Sequence, residues 1–129
     1  MEKDMLLDLY ELLEADERLT GVSIKSFERP ESLGSKEASI VLKPVSSPIQ
    51  TAMGSNTSHA KRYLIQVNVE SGNRLECKKL QKIVEEVFEG KRFYQVTNAI
   101  SNLEDYIADI GRYVDVRTYR GRSALYSDY

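Results

Sequence analysis

The sequence predicts an α+β fold, with a mainly antiparallel sheet of four to five strands and two helices on one face. Three observations carry that expectation. Two segments repeat apolar residues at helical spacing. Five others are short, alternating or rich in β-branched residues. Their order, α-β-β-β-α-β-β, clusters the strands and puts each helix before a cluster, which suits helices gathered on one face of an antiparallel sheet. The 129 residues are expected to form one domain, 1–129, with a long flexible hairpin loop at 46–60.

The first helix is read from Met5, Leu6, Leu9, Leu12 and Leu13, with acids on the other face. It is expected to stop before Thr20-Gly21, because glycine takes a positive φ readily. Next, "GVSIKSFERP" alternates Val22, Ile24 and Phe27 and then meets Pro30. "EASIVLKPV" is rich in β-branched residues and closes at Pro44. In "RYLIQVNVE", Tyr63, Ile65, Val67 and Val69 share one face, and Leu64, Gln66, Asn68 and Glu70 the other. One buried and one mostly polar face is the pattern of an antiparallel strand.

The second helix is the clearest element. Asn73 suits an N-cap, and Glu76 three residues later completes a capping box. Cys77, Leu80, Ile83, Val84, Val87 and Phe88 form one apolar stripe, and Gly90 supplies the stop. "FYQVTNAIS" follows as a strand. "NLEDYIADIG" admits two readings, a short helix on Leu103, Ile107 and Ile110 or a wide hairpin loop. "RYVDVRTYRG" is the last strand. Val114, Val116 and Thr118 face one way; Tyr113, Asp115, Arg117 and Tyr119 face the other. The tail "RSALYSDY" has no pattern.

Composition narrows the function classes. Apolar residues make up 41% and charged residues 29%, ordinary globular usage, so disorder of the whole chain is not expected. A single cysteine excludes an internal disulfide and favours a reducing compartment. The charged N-terminus has no signal-peptide core, and no apolar run reaches the roughly 18 residues of a membrane helix. The net charge of −2 argues against a general nucleic-acid coat. That charge is uneven: residues 1–20 hold seven acids and two bases, and residues 112–122 hold four arginines and one aspartate. These ends are either two solvated surfaces or complementary ends of a subunit that packs head to tail.

Catalytic constellations are thin. His59 and Cys77 are the only histidine and cysteine. A Cys–His nucleophile is conceivable chemically. But Cys77 lies on an apolar stripe, where a small hydrophobe packs well. Asp105 and Asp109 would share a face if helical, but two carboxylates alone make a poor zinc site and an incomplete calcium site. There is no P-loop, no G-x-G-x-x-G and no G-x-S-x-G. The expectation is no enzyme, no cofactor and no metal.

Two stretches point to partners instead. Six of the eight tyrosines lie in residues 94–129, interleaved with arginines. Tyr113, Arg117, Tyr119, Arg120 and Arg122 fit either a protein interface, where Tyr and Arg are enriched, or a small nucleic-acid-binding module that uses charge and stacking. The net negative charge favours the protein partner. The second stretch is the 46–60 loop, where two to five residues would suffice for a hairpin. About fourteen are present, with Pro48, Gly54 and six serines or threonines. Ile49 and Met53 are apolar within it. It is either a tongue that docks on a neighbour through Pro48, Ile49 and Met53, or a hairpin tip with no role.

The stretch "DIGRYVDVRTYRG", with the element order and the long loop, resembles the tail terminator proteins of long-tailed siphophages, also called tail completion or neck proteins. Arg117, Tyr119, Arg120 and Gly121 match the ending associated with that family. The resemblance implies a small α/β subunit of a homo-oligomeric ring, a hexamer in the family. The ring caps the tail tube, stops its polymerisation and joins it to the head–tail connector protein, while DNA passes through the lumen without specific binding. The implied partners are the chain itself, the tail tube protein and the connector. The implied location is the virion neck, reached from the host cytoplasm during assembly, with no membrane and no enzymatic activity.

Overall fold

The computed structural model describes residues 5–27, 37–45, 49–50, 60–97 and 102–124, with backbone alone at 49–50, 60–62 and 122–124. Helix α1 spans Met5–Ala15, followed by a 3-10 turn at Glu17–Leu19. Strands β1 (Ser23–Ser26), β2 (Ser39–Pro44), β3 (Ile49–Gln50) and β4 (Ala60–Ser71) follow, then helix α2 (Arg74–Glu89). Strands β5 (Tyr94–Gln95), β6 (Leu103–Ile107) and β7 (Arg112–Ala124) complete the order.

The fold is α+β, and the sheet is mixed. Its path is β1-β2-β4-β7-β5, with β3 also on β4 and β6 also on β7. The pairing of β1 with β2 is parallel and the other pairings are antiparallel. A parallel pair needs a return connection of about a dozen residues. The stretch from Phe27 to Ala38 supplies that length, although 28–36 lie outside the described residues. The backbone of the sheet is the β4–β7 ribbon, in register from Ala60↔Ala124 to Ser71↔Tyr113.

Strand alternation assigns the two faces. Ile24, Ile40, Leu42, Ile65, Val67, Val69 and Tyr119 share one face and meet the apolar sides of both helices in one buried cluster. Met5, Leu6, Leu9 and Leu13 enter it from α1. Cys77, Leu80, Ile83, Val84 and Phe88 enter from α2. Leu12, expected on the buried stripe of α1, stands exposed beside Leu7. Phe27, expected in β1, lies just past it and is exposed. Among the described residues, no helix is long and apolar enough to cross a membrane.

The ends of α2 show how local chemistry fixes this packing. The Asn73 side chain accepts from the N–H groups of Leu75 (2.9 Å) and Glu76 (3.2 Å), as an N-cap should. The capping box is relayed: the Ser71 hydroxyl donates to the Glu76 carboxylate, and the Ser71 oxygen accepts from the Asn73 N–H. The C-terminus departs from the sequence expectation. Gly90 has an ordinary helical φ of −62°, and the positive φ (62°) falls on Arg92. Phe93 N–H bonds to Phe88 C=O and Arg92 N–H to Glu89 C=O, both at 2.9 Å. That pair of bonds is a Schellman motif with Arg92 at the left-handed position. The Phe88–Phe93 ring contact, 6.1 Å between centroids, supplies its hydrophobic clasp and overrides the cost of a side chain there. Arg92→Gly is therefore expected to raise stability by about 0.5–1 kcal/mol in urea unfolding.

The segment read as a short helix or a wide hairpin loop is neither over Leu103–Ile107: it forms β6, a strand hydrogen-bonded to β7. Gly111 takes a φ of 65° in the turn between them. Asp105 thus lies in a strand and Asp109 in a turn, so the helical spacing of the two carboxylates is not realised. "FYQVTNAIS" is extended only at Tyr94–Gln95, and 98–101 lie outside the described residues.

Candidate assembly surface

Strand β7 carries most of the residues singled out by sequence, and the structure fixes which of its two sides meets the helices. Tyr113, Asp115, Arg117, Tyr119 and Gly121 face the helices; Arg112, Val114, Val116, Thr118 and Arg120 face away. The apolar triplet at 114–118 suggests the reverse. The reason lies on α2. Gln81 is buried, and its amide donates to Val67 C=O and Asp115 C=O, both at 3.0 Å. Its carbonyl oxygen accepts from the Tyr119 hydroxyl at 2.9 Å. Arg117 donates to both Asp115 carboxylate oxygens, at 2.8 and 3.3 Å. Every polar group named here has a partner, which is the condition for burying it.

The ending that carries the resemblance is thus mostly packing. Tyr119 is a core residue, with its ring 5.0 Å from that of Phe88, and it lines no surface. Burial pushes its hydroxyl pKa well above the usual tyrosine range. Gly121 lies under the Phe93 ring: a Cβ there would stand 2.6 Å from a ring carbon. Arg117 holds the charge of Asp115. Arg120 alone points outward and is exposed. Tyr113 is half-buried against Tyr106, with the rings 4.7 Å apart. Arg122 is placed by its backbone, opposite Arg62. The expected five-residue Arg/Tyr patch is therefore divided between two faces and does not converge. Of the loop residues, Ile49 is placed by its backbone opposite Arg62. Pro48 and Met53 lie outside the described residues.

The face away from the helices is the larger finding. No described helix covers it. Val41, Val114, Val116 and Thr118 are buried at its centre. Arg112, 2% exposed, bridges the strands near one end. It donates to the Glu70 carboxylate (3.2 Å), the Glu70 carbonyl (3.0 Å) and the Ser39 hydroxyl (3.2 Å). Near the other end, one row crosses the width of the sheet. Val45 bonds to Leu64, Leu64 is opposite Arg120, and Arg120 is opposite Tyr94. Val45 (48%) and Tyr94 (55%) are exposed. Lys43, in the next row opposite Gln66, is exposed as well.

Sequence reasoning missed this row because its members come from three separate strands and the residue that follows β2. Only long-range register brings Val45, Leu64, Arg120 and Tyr94 together. The one local signal is Tyr94, a large residue alternating with the buried Phe93.

Of the Cys–His pair, Cys77 alone is among the described residues. Cys77 is buried, burial pushes its thiol up to about 11, and its S–H donates to Tyr113 C=O at 3.4 Å. A thiol held protonated is a poor nucleophile at neutral pH. His59 lies outside the described residues. Among the described residues, no three His, Cys, Asp or Glu side chains assemble as metal ligands. A scan against models of known protein families finds no match, and a search of curated proteins finds none.

Proposed function

We propose that the chain is a structural subunit that assembles head to tail into a ring. In this reading it acts as a tail terminator, capping a tail tube and joining it to a head connector while DNA passes through the lumen. The tail-specific part of the reading rests on the resemblance of "DIGRYVDVRTYRG" to that family. The assembly part rests on one observation: a sheet face without a described helix, crossed by an apolar row with exposed ends and an outward arginine. Exposed apolar side chains flanking an exposed arginine are the residue types enriched where proteins associate. The outer side of α1, with Leu7 and Leu12 exposed, is a second and different surface. A ring needs two unlike patches per subunit, because its interface is heterologous.

Negative-stain images of the main size-exclusion peak test this reading. Annular particles with an open centre are the expected result. Compact two-fold dimers would contradict it, because an isologous contact does not build a ring.

One observation favours a second reading, a module that grips nucleic acid by its phosphates. Arg62, Arg120 and Arg122 fall in neighbouring register positions on one face of the β4–β7 ribbon. Salt-dependent retention on a DNA column, with a steep loss of affinity between 50 and 200 mM salt, would support that reading.

A further inference from the structure

We infer that the ring contact is made by α1 of one subunit lying across the Val45–Leu64–Arg120–Tyr94 row of the next. This inference rests on the assembly reading above and specifies its interface. It is carried by charge, by shape and by the placement of the two surfaces on one subunit.

Charge comes first. Helix α1, MLLDLYELLEA, contains three acids and no base. Leu7, Glu11 and Glu14 are spaced i, i+4 and i+7, so they form one stripe on the helix surface. All three are exposed, Leu7 at 51%. The receiving face offers Arg120 and Lys43, exposed, with no acid in either of their two rows. Among the described residues, neither cation has an ion-pair partner, and neither does Glu11. Opposite charges set at matching places between apolar contacts fix register and suppress wrong partners.

Shape agrees. Three strand spacings make the row about 14 Å wide. Seven residues of helix make the stripe from Leu7 to Glu14 about 10 Å long. A helix laid across the strands sets Leu7 against one apolar end of the row and Glu11 near Arg120. Glu14 then reaches towards Lys43 or solvent.

Placement makes the contact propagate. Helix α1 packs on the face of the sheet that holds α2, and the row lies on the opposite face. One subunit therefore presents the donor surface on one side and the receiver on the other. Each docking leaves both a free helix and a free row, and the chain of contacts closes if the rotation per subunit allows.

The test uses the full chain and a charge exchange. Glu11→Arg and Arg120→Glu are made singly and together, with far-UV circular dichroism to confirm folding. Leu7→Gln and Tyr94→Ser serve as uncharged checks. Apparent assembly constants come from sedimentation velocity at 50 and 500 mM salt. Each single charge variant is expected to weaken assembly at least tenfold, and the double variant to regain most of it. Wild-type assembly should weaken at high salt. Loss in both singles without recovery in the double would overturn the pairing. Wild-type assembly in all four single variants would place the ring contact elsewhere and leave the ring reading standing. A wild-type chain that stays monomeric throughout would overturn both.

Discussion

Arg112→Met should lower the free energy of unfolding by about 3–5 kcal/mol, a loss typical of breaking a buried ion pair. The guanidinium and the Glu70 carboxylate are almost wholly shielded from water, with side-chain exposures of 3% and 5%. Their attraction does not by itself make the protein stable, because removing both charges from water is costly. What is costly is removing one of them. Methionine keeps the length of the arginine stem but takes away the charge that the Glu70 carboxylate faces, and it also breaks the bond to Ser39 on β2. The double variant Arg112→Met with Glu70→Leu should recover most of the loss, because neither member of the pair is then left buried without its partner. Urea unfolding of the three variants decides the point. Because burial limits screening, the loss should persist at 0.5 M salt. A loss below about 1 kcal/mol for the single variant, on the scale of exposed pairs, would mean that the pair behaves as a surface pair.

Gly121→Val should cost about 2–3 kcal/mol, the upper part of the usual range for overpacking a filled core. The first atom of any side chain at 121 would lie 2.6 to 2.7 Å from three carbons of the Phe93 ring. That ring cannot easily yield. Phe93 is fully buried, and it is clasped edge-on to Phe88, which in turn meets Tyr119. An aromatic ring laid over a strand glycine is a known way to fill the gap that the missing side chain leaves. Phe93→Leu in the Gly121→Val background should restore part of the loss by making room. Additive losses in the double variant would show that the two sites are not in contact.

Both predictions bear on how the last strand is read. "RTYRG" looks like an interface motif when it is met as a string of arginines and tyrosines. In the structure, Arg117 serves Asp115, Tyr119 serves Gln81 and the aromatic core, and Gly121 makes space for Phe93. Packing explains three of the four positions and leaves Arg120 for a partner. A shared ending of this kind marks a shared way of building the sheet before it marks a shared binding surface.

The helices and long strands were legible because their signals are local. The stripe of α2 and its Asn73 cap lie within one short window. So does the alternation from Tyr63 to Val69 in β4. What escaped depends on distant residues. The parallel pairing of β1 with β2 leaves no trace in either strand's pattern. The two-residue strands β3 and β5 exist because the long strands β4 and β7 offer them edges. Which side of β7 meets the helices was not legible, because one side carries Val114 and Val116 and the other mixes charge with aromatics. Tyr119 fits beneath α2 because its hydroxyl donates to the buried Gln81 there, and Asp115 because Arg117 pairs its carboxylate. Of the candidate surface, Arg120 was legible and its apolar neighbours were not.

The central claim is that the subunit assembles through two unlike surfaces, and its solution mass tests that most directly. Light scattering after size exclusion, run over a concentration series from about 1 µM to 1 mM, gives the mass at each dilution. The subunit is 14.7 kDa, so a closed hexamer, a cyclic form that a heterologous contact permits, would weigh about 88 kDa. The account predicts a single discrete mass near that of a closed ring, reached above a threshold concentration and constant beyond it. A mass of one subunit across the whole series would contradict the account.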